Sequence, residues 1–422
     1  MSKSLRDRLR ELDQEQKPGD IHRRLERVYR QGNRNKTFPD ETVIRDARGI
    51  HEFVDGNYEN TSFGDVFVAR QHYPWNYEHG NQTPEIINSI AGNWLNRLGN
   101  FSDQSDFDVG KTLFIDTETT GLAGGSGTLA FMIGIGFIEQ DGFTVQQYFA
   151  DAFNCEEGML DLVADFVEPY TTIVSFNGKT YDLPLLSTRY ILKRRTSPFD
   201  GLDHLDLLHI ARQIWGYQLD NCRLQTIEQE VLDFKRAEDL PGSAVPQAYF
   251  KFLQGRGADP LYRVFEHNAH DILTLGILLP LVWEITRPDS QAGNLQLSRS
   301  KILLRHGERT AARQALEIFI AAEKYGQLKQ RGCLELARIY KQDGLWDEAC
   351  HFWKAVISTS KVFFLEPYVE LAKFYEHKNR DWDQALELTL AGISGLSTGR
   401  DREMRELIHR KTRLKTKIRR KL

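Results

Sequence analysis

The stretch LFIDTETTGL (113–122) decides how the rest of the chain is read. An apolar run leads into Asp116 and Glu118, two residues apart on a predicted strand. A strand has a side-chain period of two, so both carboxylates share one face. Two carboxylates at one strand end repel and raise each other's pKa, which disfavours them as a purely structural choice. A divalent cation removes that conflict, and oxygen-only ligands select a hard ion, Mg²⁺ or Mn²⁺. Solvated strand ends also carry Asp-x-Glu, so the pair needs support from elsewhere in the chain.

Two further segments supply it. SFNGKTYDLPLL (175–186) follows the apolar strand Thr171–Val174 and puts Asp182 at the start of a predicted helix, where an acid equally serves as an N-cap. Its Gly-Lys-Thr string is not a phosphate loop, because Ile173 stands where that loop needs glycine. Glycines 121, 124, 125 and 127 likewise miss the dinucleotide pattern. In HNAHDILTLGILLPLV (267–282), residues 272, 275, 278, 279 and 282 form an apolar helical face. His267 and Asp271 are four apart and share one side of that helix. An acid on such a helix needs a partner. The candidates are a metal shared with Asp116, Glu118 and Asp182, or a salt bridge to an arginine such as Arg189.

The surrounding pattern is that of an α/β domain with a mixed sheet. Strands are predicted at 111–117, 129–138, 143–150 and 171–176, with a turn at Gln140–Asp141–Gly142. Helices are predicted at 156–167, 182–193, 207–216, 223–232, 245–254 and 260–284. Ahead of them, 61–78 reads as a small β-hairpin leading into a helix at 84–98. Beyond Arg287–Pro288–Asp289 the pattern is wholly helical and repeats itself. Residues 333–356 align with 368–393, matching Ala337 to Ala372, Tyr340 to Tyr375, Trp346 to Trp382 and Ala349 to Ala385. The spacing lengthens by one residue in the inter-helix turn, and 309–322 reads as a degenerate earlier unit.

Taken in order, DTET, N-x-x-x-Y-D-L-P and H-N-x-x-D resemble the motifs of the DEDD exonuclease superfamily, built on a ribonuclease-H-like fold. Asn177–Pro184 is close to the second exonuclease motif of family B DNA polymerases. With HLDLL (204–208) and CRLQTIEQ (222–229), the set resembles the bacterial YprB-type ribonuclease-H-like proteins, which often add tetratricopeptide repeats. The resemblance covers about residues 111–284 for the nuclease-like part and 300–393 for the repeats.

The domains expected are a charged arm (1–36), a small α+β extension (37–105), a ribonuclease-H-like α/β domain (106–286), tetratricopeptide-like all-α repeats (298–396) and a basic tail (397–422). The resemblance implies a metal-dependent 3′→5′ exonuclease acting on single-stranded DNA or RNA. It makes Asp116, Glu118, Asp182 and Asp271 the ligands of two divalent cations, held about 3.5–4 Å apart. It gives the general base to His267, a histidine at a spacing the superfamily fills with tyrosine. Thr119, Thr120, Gly121 and Leu122 are expected at the terminal nucleotide, Asn177 at its loop or a metal-bound water, and Lys179 at a phosphate. Asp206 is read as a strand-end acid, with support of the ligand residues as the alternative. The repeats imply a protein partner. A nucleic-acid or protein scaffold with an idle site, or a partner-directed endonuclease, are the other readings.

Composition bounds these readings. The 422 residues carry 55 Lys+Arg against 59 Asp+Glu, with 41% hydrophobic residues, an ordinary globular mixture that excludes collagen, coiled coil and general disorder. The net charge of −4 conceals a division into 0 over 1–100, −13 over 101–300 and +9 over 301–422. A phosphate substrate would therefore rely on local patches such as Lys193–Arg194–Arg195, on metal, or on the tail RKTRLKTKIRRKL (410–422). The tail's alternative role is as a partner for the acidic domain. The four cysteines form no CxxC pair, the first twenty residues lack an apolar h-region, and the uncharged run 119–138 is too glycine-rich for a membrane helix. A cytoplasmic protein with no membrane contact is the expectation.

Overall fold

The computed structural model describes residues 49–101, 106–121, 127–237, 240–290, 295–323, 326–396 and 399–421. The predicted arm at 1–36 and Leu122 lie outside the described residues. Two compact units are formed. One takes the described residues up to His79 with Gly110–Asp206 and Phe234–Gly276; the other takes Gly80–Val109, Leu207–Asp233 and the chain from Ile277 onward.

The first unit is built on a mixed seven-stranded sheet. Its strands are β1 (Gly56–Thr61), β2 (Gly64–Pro74), β3 (Thr112–Thr119), β4 (Ala130–Glu139), β5 (Gly142–Phe149), β6 (Thr172–Ser175) and β7 (Asp203–Asp206), in the order β1-β2-β5-β4-β3-β6-β7. Pairing is antiparallel from β1 to β3 and parallel from β3 through β6 to β7. The hairpin read from the sequence as part of a separate extension is therefore the edge of this sheet. The predicted helix after it is broken into a 3₁₀ turn (Pro84–Ser89) and α1 (Trp94–Gly99), and Gly92 between them takes φ +70°.

Alternation along β3 divides its side chains. Leu113 and Ile115 join a core with Met159, Leu160 and Val163 of α2 (Glu156–Val167) and Leu186 and Tyr190 of α3 (Asp182–Leu192). A second core gathers Phe67, Phe131 and Phe149 with Tyr249 of α6 (Val245–Leu253) and Val264 and Phe265 of α7 (Asp259–Thr286). The short α4 (Leu207–Trp215) and α5 (Leu224–Glu230) lie between β7 and α6 in the chain.

Helix α7 meets the sheet through missing side chains. A Cβ on Gly134 of β4 would stand 2.1 Å from Asn268 Oδ1 and 2.3 Å from Ile272 Cδ1, and one on Gly136 would stand 2.5 Å from Ile272 Cγ2. The glycines in the apolar run FMIGIGF are thus the clearance that admits α7. By length and composition alone α7 would suit a membrane span, but 67% of its apolar window is buried in the protein.

The chain beyond α7 is all helical: α8 (Gln296–Arg305), α9 (Arg309–Ala322), α10 (Gln327–Gln342), α11 (Trp346–Thr359), α12 (Leu365–Phe374), α13 (Trp382–Gly395) and α14 (Asp401–Lys421). Each packs on the next. Ala337, Ala349, Ala372 and Ala385, the aligned small residues of the internal repeat, are all fully buried. The single residue by which the repeat spacing grows appears as a π-helical turn, Tyr375–Asn379, the structure expected of a one-residue insertion into a helix.

That turn fixes the basic tail. The Glu376 side chain has 0% exposure and accepts from Arg410 Nη1 at 2.9 Å, Arg413 Nε at 2.8 Å and Lys417 Nζ at 2.8 Å. Three of the tail's cations are therefore committed to a carboxylate within the helical unit. Lys415, Arg419 and Arg420 remain exposed. Removing the acid leaves like charges facing one another around a partly buried point. Glu376→Ala is expected to cost about 3 kcal/mol, the low end for a buried pair because two of the cations are partly solvated, and to lower the Tm in thermal melts.

Candidate active site

Asp116 and Glu118 project from β3 on the face that looks toward α7, where Asp116 is paired in register with Gly134 and Glu118 with Met132. A register shift follows at Glu118/Thr119, so regular pairing is disturbed just past the two acids. Asp182, at the first turn of α3, is 6% exposed and accepts from Thr117 Oγ1 at 2.5 Å. His267 and Asp271 stand on one side of α7, with His267 Nε2 at 3.7 Å from Asp271 Oδ2. The acids read from sequence thus converge from three segments far apart in the chain.

Their electrostatics record that convergence. Loss of solvation pushes the Asp116 carboxyl well above its ordinary range, and Asp271, Asp182 and Glu118 add to the rise. Glu118 is pushed up to about 8, chiefly by desolvation, with His267 and Arg236 opposing and Asp271 and Asp182 reinforcing. Asp182 is raised to about 6 by desolvation, against the hydrogen bond from Thr117. Asp116 and Glu118 keep partial contact with solvent, so neighbouring like charges share the cause with burial.

Each of three acids is held by a protein donor. Asn268, with no exposed surface, donates through Nδ2 to Asp116 Oδ2 at 2.8 Å, and its Oδ1 accepts from Gln147 Nε2 at 2.8 Å. Gln147 Nε2 also donates to Phe265 O at 2.9 Å. This chain fixes the Asp116 rotamer, and it passes through the space that Gly134 leaves open. Thr117 holds Asp182 as described. Arg236 donates through Nη2 to Asp271 Oδ1 and through Nη1 to His267 Nδ1 at 3.1 Å. Arginine only donates, so His267 Nδ1 is an acceptor here and the ring proton sits on Nε2.

The partner foreseen for Asp271, Arg189, is engaged elsewhere, in a bidentate pair with Glu156 at 2.5 and 2.6 Å. Two of the three cations of the patch Lys193–Arg195 are also engaged: Lys193 meets Glu157 at 3.3 Å, and Arg195 pairs with Glu157 and Asp161, while Arg194 is exposed.

The loop before α3 is positioned by Asp206. This 3% exposed carboxylate accepts the N–H of Asn177 at 2.9 Å and of Lys179 at 3.1 Å, with Asn177 in the left-handed region at φ +71°. The acid read as a plain strand end therefore aims the loop that delivers Asp182. Tyr181 OH donates to Gly121 O at 3.0 Å, tying that loop to the end of β3. Thr120 N–H donates to Leu129 O at 2.9 Å and Thr119 Oγ1 to Gly121 O at 2.9 Å. The Thr120 amide is thus used internally.

Sequence reasoning passed over Asn268, Gln147, Gly134, Tyr181 and Arg236 as site residues. Asn268 was visible inside H-N-x-x-D, and the glycines interrupting an apolar strand were a signal of close approach. Arg236 had no local signature.

Among the described residues no three His, Cys, Asp or Glu side chains already close into a metal cage. The donor set nonetheless suits a hard divalent ion: oxygen ligands, held near one another, with pKa values raised first by burial and then by neighbouring acids, whose charge a cation would offset. An acid whose folded pKa is raised holds a proton that the unfolded chain has released. Its contribution is present at low pH and is lost as pH rises, from 3.8 to about 6 for Asp182 and from 4.5 to about 8 for Glu118. In chelator, the Tm should fall across pH 5 to 8; Mn²⁺ should reverse that fall, as read by scanning fluorimetry. Gly134→Ala should cost about 1–3 kcal/mol through overpacking and weaken Mn²⁺ uptake in calorimetry by displacing Asn268.

The segment that carries these residues also matches a known family. Residues 113–283 match the family model RNase_H_2 of the RNase_H superfamily. The chain is 30% identical over 356 residues to "Uncharacterized protein YprB" of Bacillus subtilis (strain 168), covering 83% of this chain and 86% of that protein. Among solved structures it is similar to the family B DNA polymerase from the hyperthermophilic archaeon Pyrobaculum calidifontis, with 17% identity and a TM-score of 0.32, over 50% of this chain and 28% of the polymerase.

Proposed function

The chain belongs to the RNase H superfamily, in the family that includes YprB, and from that premise we propose that it is a metal-dependent 3′→5′ exonuclease of the DEDD type acting on single-stranded nucleic acid. The observation that carries this reading is the convergence of Asp116, Glu118, Asp182 and Asp271, where burial, with the repulsion of the other three added, raises the Asp116 carboxyl.

In this reading Asp116, Glu118, Asp182 and Asp271 hold two Mg²⁺ or Mn²⁺ ions. Such ions activate a water and stabilise the leaving oxygen of a phosphodiester. Asn268 keeps Asp116 in one rotamer, with Gln147 fixing Asn268 in turn. Asp206 holds the 177–179 loop so that Asp182 enters from the start of α3. His267 is the group placed to move a proton, with one ring nitrogen facing Asp271 and the other engaged by Arg236. Lys179 and the partly exposed Asn177 lie on the loop that delivers Asp182, and Thr119, Thr120, Gly121 and Leu122 on the segment that ends β3 and continues past it. The terminal nucleotide is assigned to these two segments.

For the helical unit we keep the tetratricopeptide-like assignment and a protein partner. A cavity of about 710 Å³ opens on it, lined by Phe363, Phe364, Val369, Arg338, Lys373 and Arg410 among others. Apolar and charged side chains are mixed there, as a peptide surface requires.

End-labelled single-stranded DNA and RNA with Mn²⁺, Mg²⁺ or chelator test the activity. Metal-dependent release of mononucleotides from the 3′ end is the expected result. Asp116→Asn should bring turnover to background, and full residual cleavage would assign the activity to a contaminant. His267→Ala should lower kcat by about 10²–10⁴-fold with Mn²⁺ affinity kept within a few-fold. An unchanged rate would place the proton transfer on another group.

A further inference from the structure

Arg236 stands among the acids, in a segment outside any helix or strand between α5 and α6. Its side chain is 5% exposed. The guanidinium spans two groups of α7, with Nη2 on Asp271 Oδ1 and Nη1 on His267 Nδ1 at 3.1 Å and His267 O at 3.4 Å. The other Asp271 oxygen faces His267 Nε2 at 3.7 Å. Both oxygens of this acid are therefore turned to protein nitrogens. The segment is seated by Phe234, whose ring stacks on His79 at 3.8 Å and meets His270 edge-on at 5.3 Å. His79 is fully buried, bonds Thr274 Oγ1 through Nε2 at 2.9 Å and, among the described residues, leaves Nδ1 without a hydrogen-bond partner. The seat is thus stacking on aromatic faces, with one ring nitrogen left unmatched.

We propose that Arg236 is the resident cation of the carboxylate cluster: its guanidinium holds Asp271 in the metal-free protein and releases that carboxylate when a divalent ion binds there. This rests on the reading of the cluster as a metal site. A guanidinium is permanently charged and matches a carboxylate as a fork, so it neutralises the acid without a proton. An entering ion needs the same oxygens and carries charge of the same sign. Ion and guanidinium therefore compete for Asp271, and each lowers the other's occupancy. The acids supplied by β3 and α3 are held differently: Asp116 and Asp182 accept from an amide and a hydroxyl, which are neutral donors. The ion that relies on Asp271 is then bound more weakly than its ligand charge implies. The same displacement frees His267 Nδ1, which couples loading of the site to the availability of the histidine.

Two measurements on the full chain decide this. In calorimetric Mn²⁺ titrations, Arg236→Gln should bind about tenfold or more tightly than wild type, since a close buried charge pair is lost, and its metal-free form should melt lower. In wild type, dicarbonyl labelling of arginines read by mass spectrometry should rise at Arg236 on adding Mn²⁺. It should stay constant at Arg299, a 3% exposed arginine of the other unit held by the carbonyls of Arg287 and Pro288. Binding in wild type with no tightening in Arg236→Gln, or with Arg236 labelling flat or falling, overturns the proposal and makes Arg236 a fixed orienting group. If wild type and Arg236→Gln both fail to bind Mn²⁺, the metal reading itself falls. Should Arg236→Gln fail to fold, labelling of the wild type is sufficient: a rise at Arg236 upholds the proposal, and a flat or falling signal overturns it.

Discussion

Like-charge repulsion at the end of β3 is the constraint around which the first unit is arranged. Asp116 and Glu118 cannot turn away from each other, because strand periodicity fixes them on one face. Asp182 and Asp271 arrive from separate helices and increase the repulsion. Every oxygen turned inward has to find a donor, a proton or an ion. Asn268, Thr117 and Arg236 supply the donors, and the Asp182 and Glu118 carboxyls still stand above their ordinary range, chiefly because burial strips them of water.

Much of this was legible in the sequence where a local rule governs it. Apolar runs located β3 and β4, and helical periodicity set α2, whose predicted bounds 156–167 coincide with the observed helix. The pairing of His267 with Asp271 follows from helical spacing alone. What escaped depends on which segments meet. Nothing near Arg236 in the chain points to His267 or Asp271, since these lie 31 and 35 residues away. Arg189 has the right chemistry but is claimed by Glu156 across the α2–α3 pair. The edge strands β1 and β2 looked like an appendage because sheet membership is decided by long-range pairing with β5. The helix predicted at 84–98 failed on Gly92, whose left-handed backbone outweighs the apolar spacing around it.

The charge imbalance along the chain has a different meaning in the folded protein. The excess of acid over 101–300 includes the cluster itself, while the tail's excess of base is partly absorbed by Glu376. A polyanion approaching the helical unit meets fewer cations than the sequence counts, chiefly those on the outer face of α14, such as Lys415 and Arg419. Burial of Glu376 in a π turn also explains why the inserted residue is tolerated. The extra residue widens the turn and carries into it the acid on which the last helix docks.

The two glycines of β4 show how far the site depends on the absence of atoms. With side chains at 134 and 136, α7 would stand further from the sheet, and Asn268 could not reach Asp116. The helix carries Asn268 and Asp271 three residues apart on one rigid element, so a shift that relaxes one moves the other with it. Depth of packing, orientation of Asp116 and position of Asp271 are therefore one variable, set by clearance at the sheet surface. The same clearance also governs how closely Arg236 and the β3 acids approach, so the charge balance of the cluster is fixed as much by packing as by the residues that carry the charge.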